Sequence, residues 1–151
     1  MEYATTGGGK RLRAFLVMES ANLHDAPVSA AHSAAVAIEC IHAYSLVHDD
    51  LPCMDDDDLR RGKPTVHKAW DEATAVLVGD ALQSHAFGAI ADCHLGADRK
   101  VELISTLAQA AGASGMVFGQ FLDMAAESAG VPLNMPNISR IQEHKTGALI
   151  E

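Results

Sequence analysis

Apolar residues recur at every third or fourth position along most of this chain, and apolar and polar residues rarely alternate. That spacing is the period of amphipathic helices, whereas strict alternation would indicate strands. Prolines and glycines interrupt the pattern, and loops are expected at those points. We therefore predict helices at about residues 10–23, 29–51, 71–93, 98–128 and 137–151.

Capping residues mark the ends of several of these helices. Ser29 is expected to cap the second helix and Asn137 the fifth, and the third helix is expected to begin at Asp71 or Thr74. Pro52 lacks a backbone donor and clashes with the preceding turn, so it should end or kink the second helix. The segment 60–65, which contains a glycine and a proline, is expected to be a loop.

The composition supports a helical interpretation. Hydrophobic residues make up 48% of the chain and aromatic residues only 5%. Abundant alanine favours closely packed helices over sheet. A chain of 151 residues is long enough for one domain with a substantial core. We predict a single all-α domain spanning residues 1–151.

Charge and cysteine content restrict the possible partners and the cell compartment. The net charge is −9, so a nucleic acid is not expected as a partner. The N-terminus does not show the basic start and following apolar stretch of a signal peptide, so none is predicted. No unbroken apolar run reaches the roughly 18 residues of a transmembrane segment. Three cysteines without a close pair are typical of reduced thiols. A cytoplasmic location is therefore expected.

The densest chemistry lies between Asp49 and Asp58, where six aspartates fall within ten residues and a basic stretch follows. Carboxylates at this density repel one another unless water or cations neutralise them. Mg²⁺ prefers carboxylate and phosphate oxygens, so acidic residues beside basic ones suggest that Mg²⁺, or alternatively Mn²⁺, meets a phosphorylated substrate here. The alternative is a solvated charged loop.

Helix geometry restricts how these aspartates can act together. Asp49 and Asp55 are six residues apart, which places them on different faces of a regular helix. They can meet only if residues between them loop out. We therefore predict an irregular helix end at residues 51–54, after which Asp49, Asp50 and Asp55 converge. For Asp56 and Asp57, simple exposure to solvent remains equally open.

Two further candidate sites lie outside the aspartate-rich segment, at Lys10 and at His42. Three glycines precede Lys10, which suggests a backbone that must approach another group closely. His42 lies seven residues before Asp49, about two helical turns, and hence on the same face. It is interpreted as a ligand-binding residue, with a core histidine as the alternative. Neither His48 nor His67 has the spacing of a zinc site.

Several motifs together resemble the trans-isoprenyl diphosphate synthases, and within them the bacterial farnesyl diphosphate synthases. The segment from Asp49 to Pro64 resembles the first aspartate-rich motif of that family, and GGKRLR at 8–13 resembles its isopentenyl diphosphate-binding motif. GDALQ at 79–83, GQ at 119–120 with Asp123, and KTGALI at 145–150 follow in the family order. The resemblance covers nearly the whole chain.

This resemblance implies an isoprenoid-synthase-type helical bundle, of which about half is present, and a Mg²⁺-dependent prenyl transfer. Asp49 and Asp55 would bind Mg²⁺, supported by Asp50, and Arg60 would contact the allylic diphosphate. Further residues would bind substrates. Isopentenyl diphosphate would be held by Lys10, Arg13, His42 and Arg61, and the allylic substrate would be reached from the far wall by Lys145 and Thr146. Gln120 would either contact the substrate cavity or serve helix packing only. A homodimer is also implied.

The family resemblance extends to product length. Tyr44 lies five residues and Ser45 four residues before Asp49, and a helical turn rises about 5.4 Å. A large ring here would form a floor beneath the substrate and limit the product to 15 carbons. A geranylgeranyl diphosphate synthase is the alternative that a small residue would favour. Ordinary core packing of Tyr44 is the other alternative.

The chain departs from the family pattern in its extent. The family has a second aspartate-rich motif after its lysine–threonine segment, and these 151 residues contain no such motif. We therefore interpret the chain as an N- and C-terminally truncated synthase. The alternative function is that of a catalytically silent homologue that binds a prenyltransferase partner or a prenyl diphosphate.

Overall fold

The computed structural model describes residues 1–130 and 132–150, and most of them are helical. Their contacts divide into two compact units, the first from Met1 to Gly96 and the second beginning at Ala97, where the sequence predicts one domain. The all-α fold class is confirmed.

The first unit contains five helices and a small hairpin. The helices are α1 (Glu2–Thr6), α2 (Leu12–Leu23), α3 (Val28–Asp49), α4 (Val66–Ala69) and α5 (Glu72–Ala91). Strands β1 (Leu59–Arg60) and β2 (Lys63–Pro64) pair antiparallel, with Leu59 opposite Pro64 and Arg60 opposite Lys63. The hairpin, α1 and α4 were not predicted, because each is too short to show a period.

Helix α3 forms the centre of the first unit, where α2 and α5 pack against it. Ile41 on α3 and Leu82 on α5 are almost fully buried. Ala75 and Ala86 on α5 are completely buried. Such small residues allow helix axes to approach closely, and the buried apolar surface stabilises the pair by about 25 cal/mol per Å².

The second unit contains α6 (Ala97–Ala111), α7 (Met116–Ala129), α8 (Met135–Lys145) and a 3₁₀ turn (Gly147–Leu149). Helix α7 packs on α8, and the 3₁₀ turn packs on α6 and α8. The small core consists of buried residues from all four elements: Leu107, Ala111, Met116, Gly119, Ile141 and Leu149.

Two predicted helices, 98–128 and 137–151, differ in extent from those of the structure. The stretch 98–128 is two helices, because the chain turns at 112–115 and the position of a Cβ on Gly112 lies only 2.5 Å from the carbonyl oxygen of Ala108. Helix α8 begins before the predicted 137, since Asn134 caps it by accepting from Asn137 N at 3.0 Å.

Two predicted helix starts have different outcomes. Helix α3 begins at Val28 with Pro27 in the N-cap position, so Ser29 is not its cap. Helix α5 begins directly after Asp71, one of the two predicted starts, and the Asp71 carboxylate caps it by accepting a hydrogen bond from Thr74 N at 2.6 Å. An N-cap carboxylate also lies favourably at the positive end of the helix dipole.

Length and hydropathy alone would allow α3 and the segment Ala97–Ala129 to cross a membrane. Core helices of soluble proteins pass the same test. In α3, 56% of the most apolar 18-residue window is already buried within the protein.

Candidate active site

The C-terminal end of α3 is irregular, as the sequence predicts. The helix stops at Asp49, and Asp50 N still donates to Leu46 O at 3.1 Å. The chain then turns, and Asp55 N donates to Asp49 O at 2.9 Å. This hydrogen bond closes the loop around Pro52 and returns the backbone of Asp55 to the helix end.

The side chains of the three expected metal ligands do not converge. Asp49 and Asp50 are 8% and 3% exposed, whereas Asp55 is exposed. Among the described residues, no three His, Cys, Asp or Glu side chains lie close enough together to hold a metal ion. The loop joins the backbones as predicted, but it does not bring the three carboxylates together.

Asp50 faces Arg60 instead. Nε of Arg60 donates to Oδ1 of Asp50 at 2.9 Å, and Nη2 of Arg60 donates to the same oxygen. Nη2 also donates to Asp57 Oδ2 at 3.2 Å, so Asp57 is not simply solvated. Burial raises the pKa of Asp50 above its ordinary value, although the Arg60 charge opposes that rise. Hydrogen bonding to Asp50 raises the pKa of Arg60.

The donor types at the end of α3 nevertheless fit a magnesium ion. Mg²⁺ at phosphate sites is usually held by one or two carboxylates, with waters and substrate phosphates completing the shell. Asp49 and Asp55 provide two such carboxylates on either side of one tight loop. A cluster of three protein ligands is therefore not required for the ion that the family resemblance implies.

The hairpin after this loop sends two consecutive arginines to different places. Its two-residue turn has φ of 55° at Arg61 and 78° at Gly62, both in the left-handed region that such turns require. Arg60, on β1, reaches Asp50. Arg61, in the turn, donates from Nη1 to the carbonyl oxygen of Gly8. Gly9 makes room, since a Cβ there would lie 2.5 Å from the Arg61 guanidinium.

Four predicted substrate-binding residues line one cleft of about 170 Å³. They come from three elements: the segment before α2 and its first turn, the middle of α3, and the hairpin turn. The four are Lys10, Arg13, His42 and Arg61. Separate stretches of sequence thus form one basic cleft.

Two side chains in this basic cleft, Arg13 and His42, could interact with a bound anion. Nε of Arg13 is buried and has no hydrogen-bond partner among the described residues, and burial lowers the pKa of that side chain. Burial and then the charges of Arg13, Arg61 and Arg11 lower the pKa of His42 to about 4, against the opposing charge of Glu39. A bound polyanion would satisfy the first group and favour protonation of the second.

Sequence reasoning missed Glu39 and Arg11 in the same cleft. Oε2 of Glu39 accepts from Arg11 Nη1 at 3.0 Å, and Oε1 accepts from Ala14 N at 3.2 Å. Glu39 therefore satisfies a donor in the first turn of α2 and neutralises Arg11. Its position three residues before His42, on one face of α3, is a signal that could have identified it.

Tyr44 and Ser45 lie on α3 between His42 and Asp49. Tyr44 is 7% exposed, and burial raises the pKa of its hydroxyl despite a hydrogen bond with Gln83. Oγ of Ser45 donates to His42 O at 2.9 Å. The Tyr44 ring also meets the ring of His48 edge to face, with centroids 5.7 Å apart. The role of Tyr44 as a substrate floor stays a prediction.

The second unit contains the remaining predicted residues. Nζ of Lys145 donates to Asp123 Oδ2 at 2.6 Å, between the end of α8 and α7. Thr146 follows the helix and is half-buried. Both polar side-chain atoms of Gln120 are buried and have no hydrogen-bond partner among the described residues. The position of a Cβ on Gly119 would lie 2.5 Å from the Cα of Lys145.

The chain has many relatives among prenyl synthases. It is 51% identical over 153 residues to farnesyl diphosphate synthase of Escherichia coli strain K12, and the match covers 99% of this chain and 50% of the relative. The chain therefore spans about half the length of the relatives it matches.

Solved structures show the same similarity. An FPP/GFPP synthase from Zymomonas mobilis matches with a TM-score of 0.93 and 56% identity, over 97% of this chain and 54% of that one. A geranyltransferase from Helicobacter pylori, complexed with magnesium and isoprenyl diphosphate, matches with a TM-score of 0.86 and 39% identity, over 99% and 50%. The sequence profile of the polyprenyl synthetases matches residues 1–151. This chain therefore belongs to the polyprenyl synthetase family.

Proposed function

We propose that the chain contributes to a farnesyl diphosphate synthase-type reaction, the Mg²⁺-dependent head-to-tail condensation of isopentenyl diphosphate with dimethylallyl or geranyl diphosphate. The observation that carries this proposal is the basic cleft formed by Lys10, Arg13, His42 and Arg61. Three basic side chains and a histidine gathered from separate segments suit a diphosphate, a compact polyanion.

The residues would divide the work between two diphosphates. In the basic cleft, Lys10, Arg13 and Arg61 would bind and orient isopentenyl diphosphate. Arg60, which is paired with Asp50, would contact the allylic diphosphate. By the family resemblance alone, Lys145, Thr146 and Gln120 in the second unit are further substrate-binding residues.

The proposed reaction proceeds by ionisation, condensation and elimination. Bound Mg²⁺, held by Asp49 and Asp55 with Asp50 in support, would stabilise negative charge on the departing diphosphate. Fixed cationic side chains act in the same direction, because they are oriented before the charge develops. The double bond of isopentenyl diphosphate then attacks the allylic cation, and loss of a proton completes the product. Tyr44 and Ser45 would limit its length.

The direct test incubates the purified chain with Mg²⁺, isotope-labelled isopentenyl diphosphate and geranyl diphosphate. A 15-carbon product by chromatography is expected, with Tyr44→Ala giving longer products. Asp49→Asn should abolish product, whereas Asp98→Asn, which removes the same charge from an exposed position in the second unit, should not. The absence of both turnover and Mg²⁺-dependent diphosphate binding would contradict the proposal. Binding without turnover would reject condensation by this chain and favour a silent binding protein.

We further propose a cytoplasmic homodimer. The cysteines support the cytoplasmic location, since Cys40, Cys53 and Cys93 are all unpaired. The exposed apolar side chains of Val76 and Leu77 on α5 support the homodimer. Light scattering coupled to gel filtration tests the oligomeric state, and a monomer at micromolar concentration would contradict it.

A further inference from the structure

A tyrosine near the start of the chain touches the hairpin that carries Arg60 and Arg61. The hydroxyl of Tyr3, on α1, donates to the carbonyl oxygen of Pro64 on β2 at 2.8 Å. The ring meets Trp70 edge to face, with centroids 4.9 Å apart and planes at 86°. Nζ of Lys63 lies 6.0 Å from its centroid. One side chain thus contacts the second hairpin strand and the residue after α4.

The same tyrosine is anchored to the core. Tyr3 and Ala4 pack against a buried cluster at the end of α3 and the start of α5, which consists of Val47, Leu51, Val66 and Ala75. An apolar contact beneath the ring and a polar contact at its tip is an arrangement to which tyrosine is well suited. The hairpin is therefore linked through Tyr3 to the helix end that carries Asp49.

The other end of this N-terminal segment is also attached to the hairpin. Arg61 donates to Gly8 O, and Nη2 of Arg11 donates to Thr5 O. Residues 3–11 therefore contact the hairpin at Pro64 through Tyr3 and at Arg61 through Gly8. They also supply Lys10 and Arg11 to the basic cleft.

The hairpin needs such support because it is weak by itself. It contains two residue pairs, and even longer isolated hairpins are only marginally stable in water. Its turn places Arg61 in the left-handed conformation, which is unfavourable for a residue that has a Cβ. A short, strained hairpin that carries two functional arginines requires contacts from outside to hold one geometry.

We propose that Tyr3 is a positioning residue that holds the hairpin against the end of α3, so that Arg61 stays in the basic cleft. Diphosphate affinity then depends on a side chain that lies outside that cleft. This inference rests on the proposed function, because it takes the anion in the cleft to be isopentenyl diphosphate.

The first readout is independent of any substrate. Trypsin cleavage of the Arg61–Gly62 bond in the native chain, followed by mass spectrometry, measures how often the hairpin opens. Tyr3→Phe removes one exposed hydrogen bond and should speed cleavage by about 2- to 10-fold. Tyr3→Ala also removes the ring contacts and should add about another factor of ten.

Matched controls separate this effect from general destabilisation. Thr6→Ala removes a hydrogen bond within the same helix, from Thr6 Oγ1 to Glu2 O at 2.8 Å, and should leave cleavage unchanged. Ile90→Val loosens the buried end of α5 and should lower the melting temperature without selective cleavage at Arg61. Equal cleavage in the Tyr3 variants and these controls would overturn the inference.

The second readout is calorimetric binding of isopentenyl diphosphate. Affinity is expected to fall in the same order, by about 2- to 10-fold for Tyr3→Phe and further for Tyr3→Ala, and to be unchanged for Thr6→Ala. Faster cleavage with unchanged affinity would overturn the positioning role. Absent binding in the wild type would contradict the proposed function, while the cleavage series would still decide whether Tyr3 holds the hairpin.

Discussion

Two glycines, one in each unit, make close contacts beside predicted site residues, and the two contacts differ in kind. In the first unit, Gly79 on α5 leaves a space that the ring of His48 fills, directly before Asp49. In the second unit, Gly119 on α7 leaves a space that the backbone at Lys145 fills. A side chain can be removed or can rotate, whereas backbone cannot. The stability lost by adding a Cβ at Gly79 should therefore be restored by a second substitution at His48. No second substitution should restore the stability lost by adding one at Gly119.

Gly119→Ala should give the largest effect. The added Cβ would overlap the backbone of Lys145 and lie 2.7 Å from the carbonyl carbon of His144, so α7 and α8 must separate. We expect a loss of about 3 kcal/mol in the free energy of unfolding, measured by urea denaturation. Gly88→Ala on α5 is the matched control, since nothing lies near its Cβ position, and it should stabilise by about 0.5–1 kcal/mol. Equal effects would contradict the close approach.

Gly79→Ala should cost less, about 2 kcal/mol, because only the His48 ring must move. That ring is held by a hydrogen bond from Nε2 to Val76 O at 3.1 Å, so it leaves its place at some cost. In a His48→Ala background the same glycine change should be nearly neutral, because the obstacle is gone. A double-mutant cycle by urea denaturation measures this coupling. Additive effects would remove the proposed difference between the two glycines.

Acid sensitivity should follow His42. Its pKa in the folded chain, about 4, lies below its ordinary value near 6.5, so folding favours the neutral ring. This contribution to stability is fully present above pH 6.5 and is lost as the pH falls through about 4. Because the ring is partly exposed, we expect a loss of about 1–2 kcal/mol over this interval. Thermal melts from pH 7 to 4 should show a smaller loss in His42→Gln.

Asp50→Asn should have the smallest effect on stability. Burial raises the pKa of Asp50, so its charged form already disfavours the fold, and the asparagine oxygen can still accept from Arg60. The change leaves Arg60 charged, but its side chain is 34% exposed and keeps Asp57 as a partner, so the cost should stay within about 1 kcal/mol. As the pH falls toward the raised pKa of Asp50, the wild type should lose less stability than Asp50→Asn, because the folded state favours the protonated carboxyl.

A separate measurement tests the function of the same residue. Mn²⁺ binding in the presence of a diphosphate, followed by paramagnetic resonance, should weaken in Asp50→Asn. Asp98→Asn serves as the control for loss of charge. Unchanged Mn²⁺ affinity would remove Asp50 from the metal site while leaving the stability prediction intact.

Local chemistry explains what the sequence could predict. The period of apolar residues locates the long helices, Pro52 marks the irregular end of α3, and Asp71 marks the start of α5. The basic cleft was predicted as a set of residues through the family resemblance. These features depend on neighbours along the chain or on motifs that can be read directly.

The rest depends on contacts between distant residues. The turn of Asp50 toward Arg60 requires the hairpin, whose strands are two residues long and show no alternation. The break after α6 depends on how closely the chain returns over Gly112 and Gly115. Glu39 holds Arg11 across 28 positions of sequence. None of these can be inferred from periodicity alone.

The covalent chain at the hairpin turn also fixes the spacing of two cationic residues. Arg60 and Arg61 are adjacent, so their Cα atoms are fixed about 3.8 Å apart while their side chains reach different partners. The distance between the backbone positions of Arg60 and Arg61 is therefore set by one peptide unit and not by helix packing. Core substitutions can shift the hairpin as a whole but cannot change that spacing. A one-residue insertion between the arginines would change it at once, and would turn one of the two side chains toward the other face of the strand.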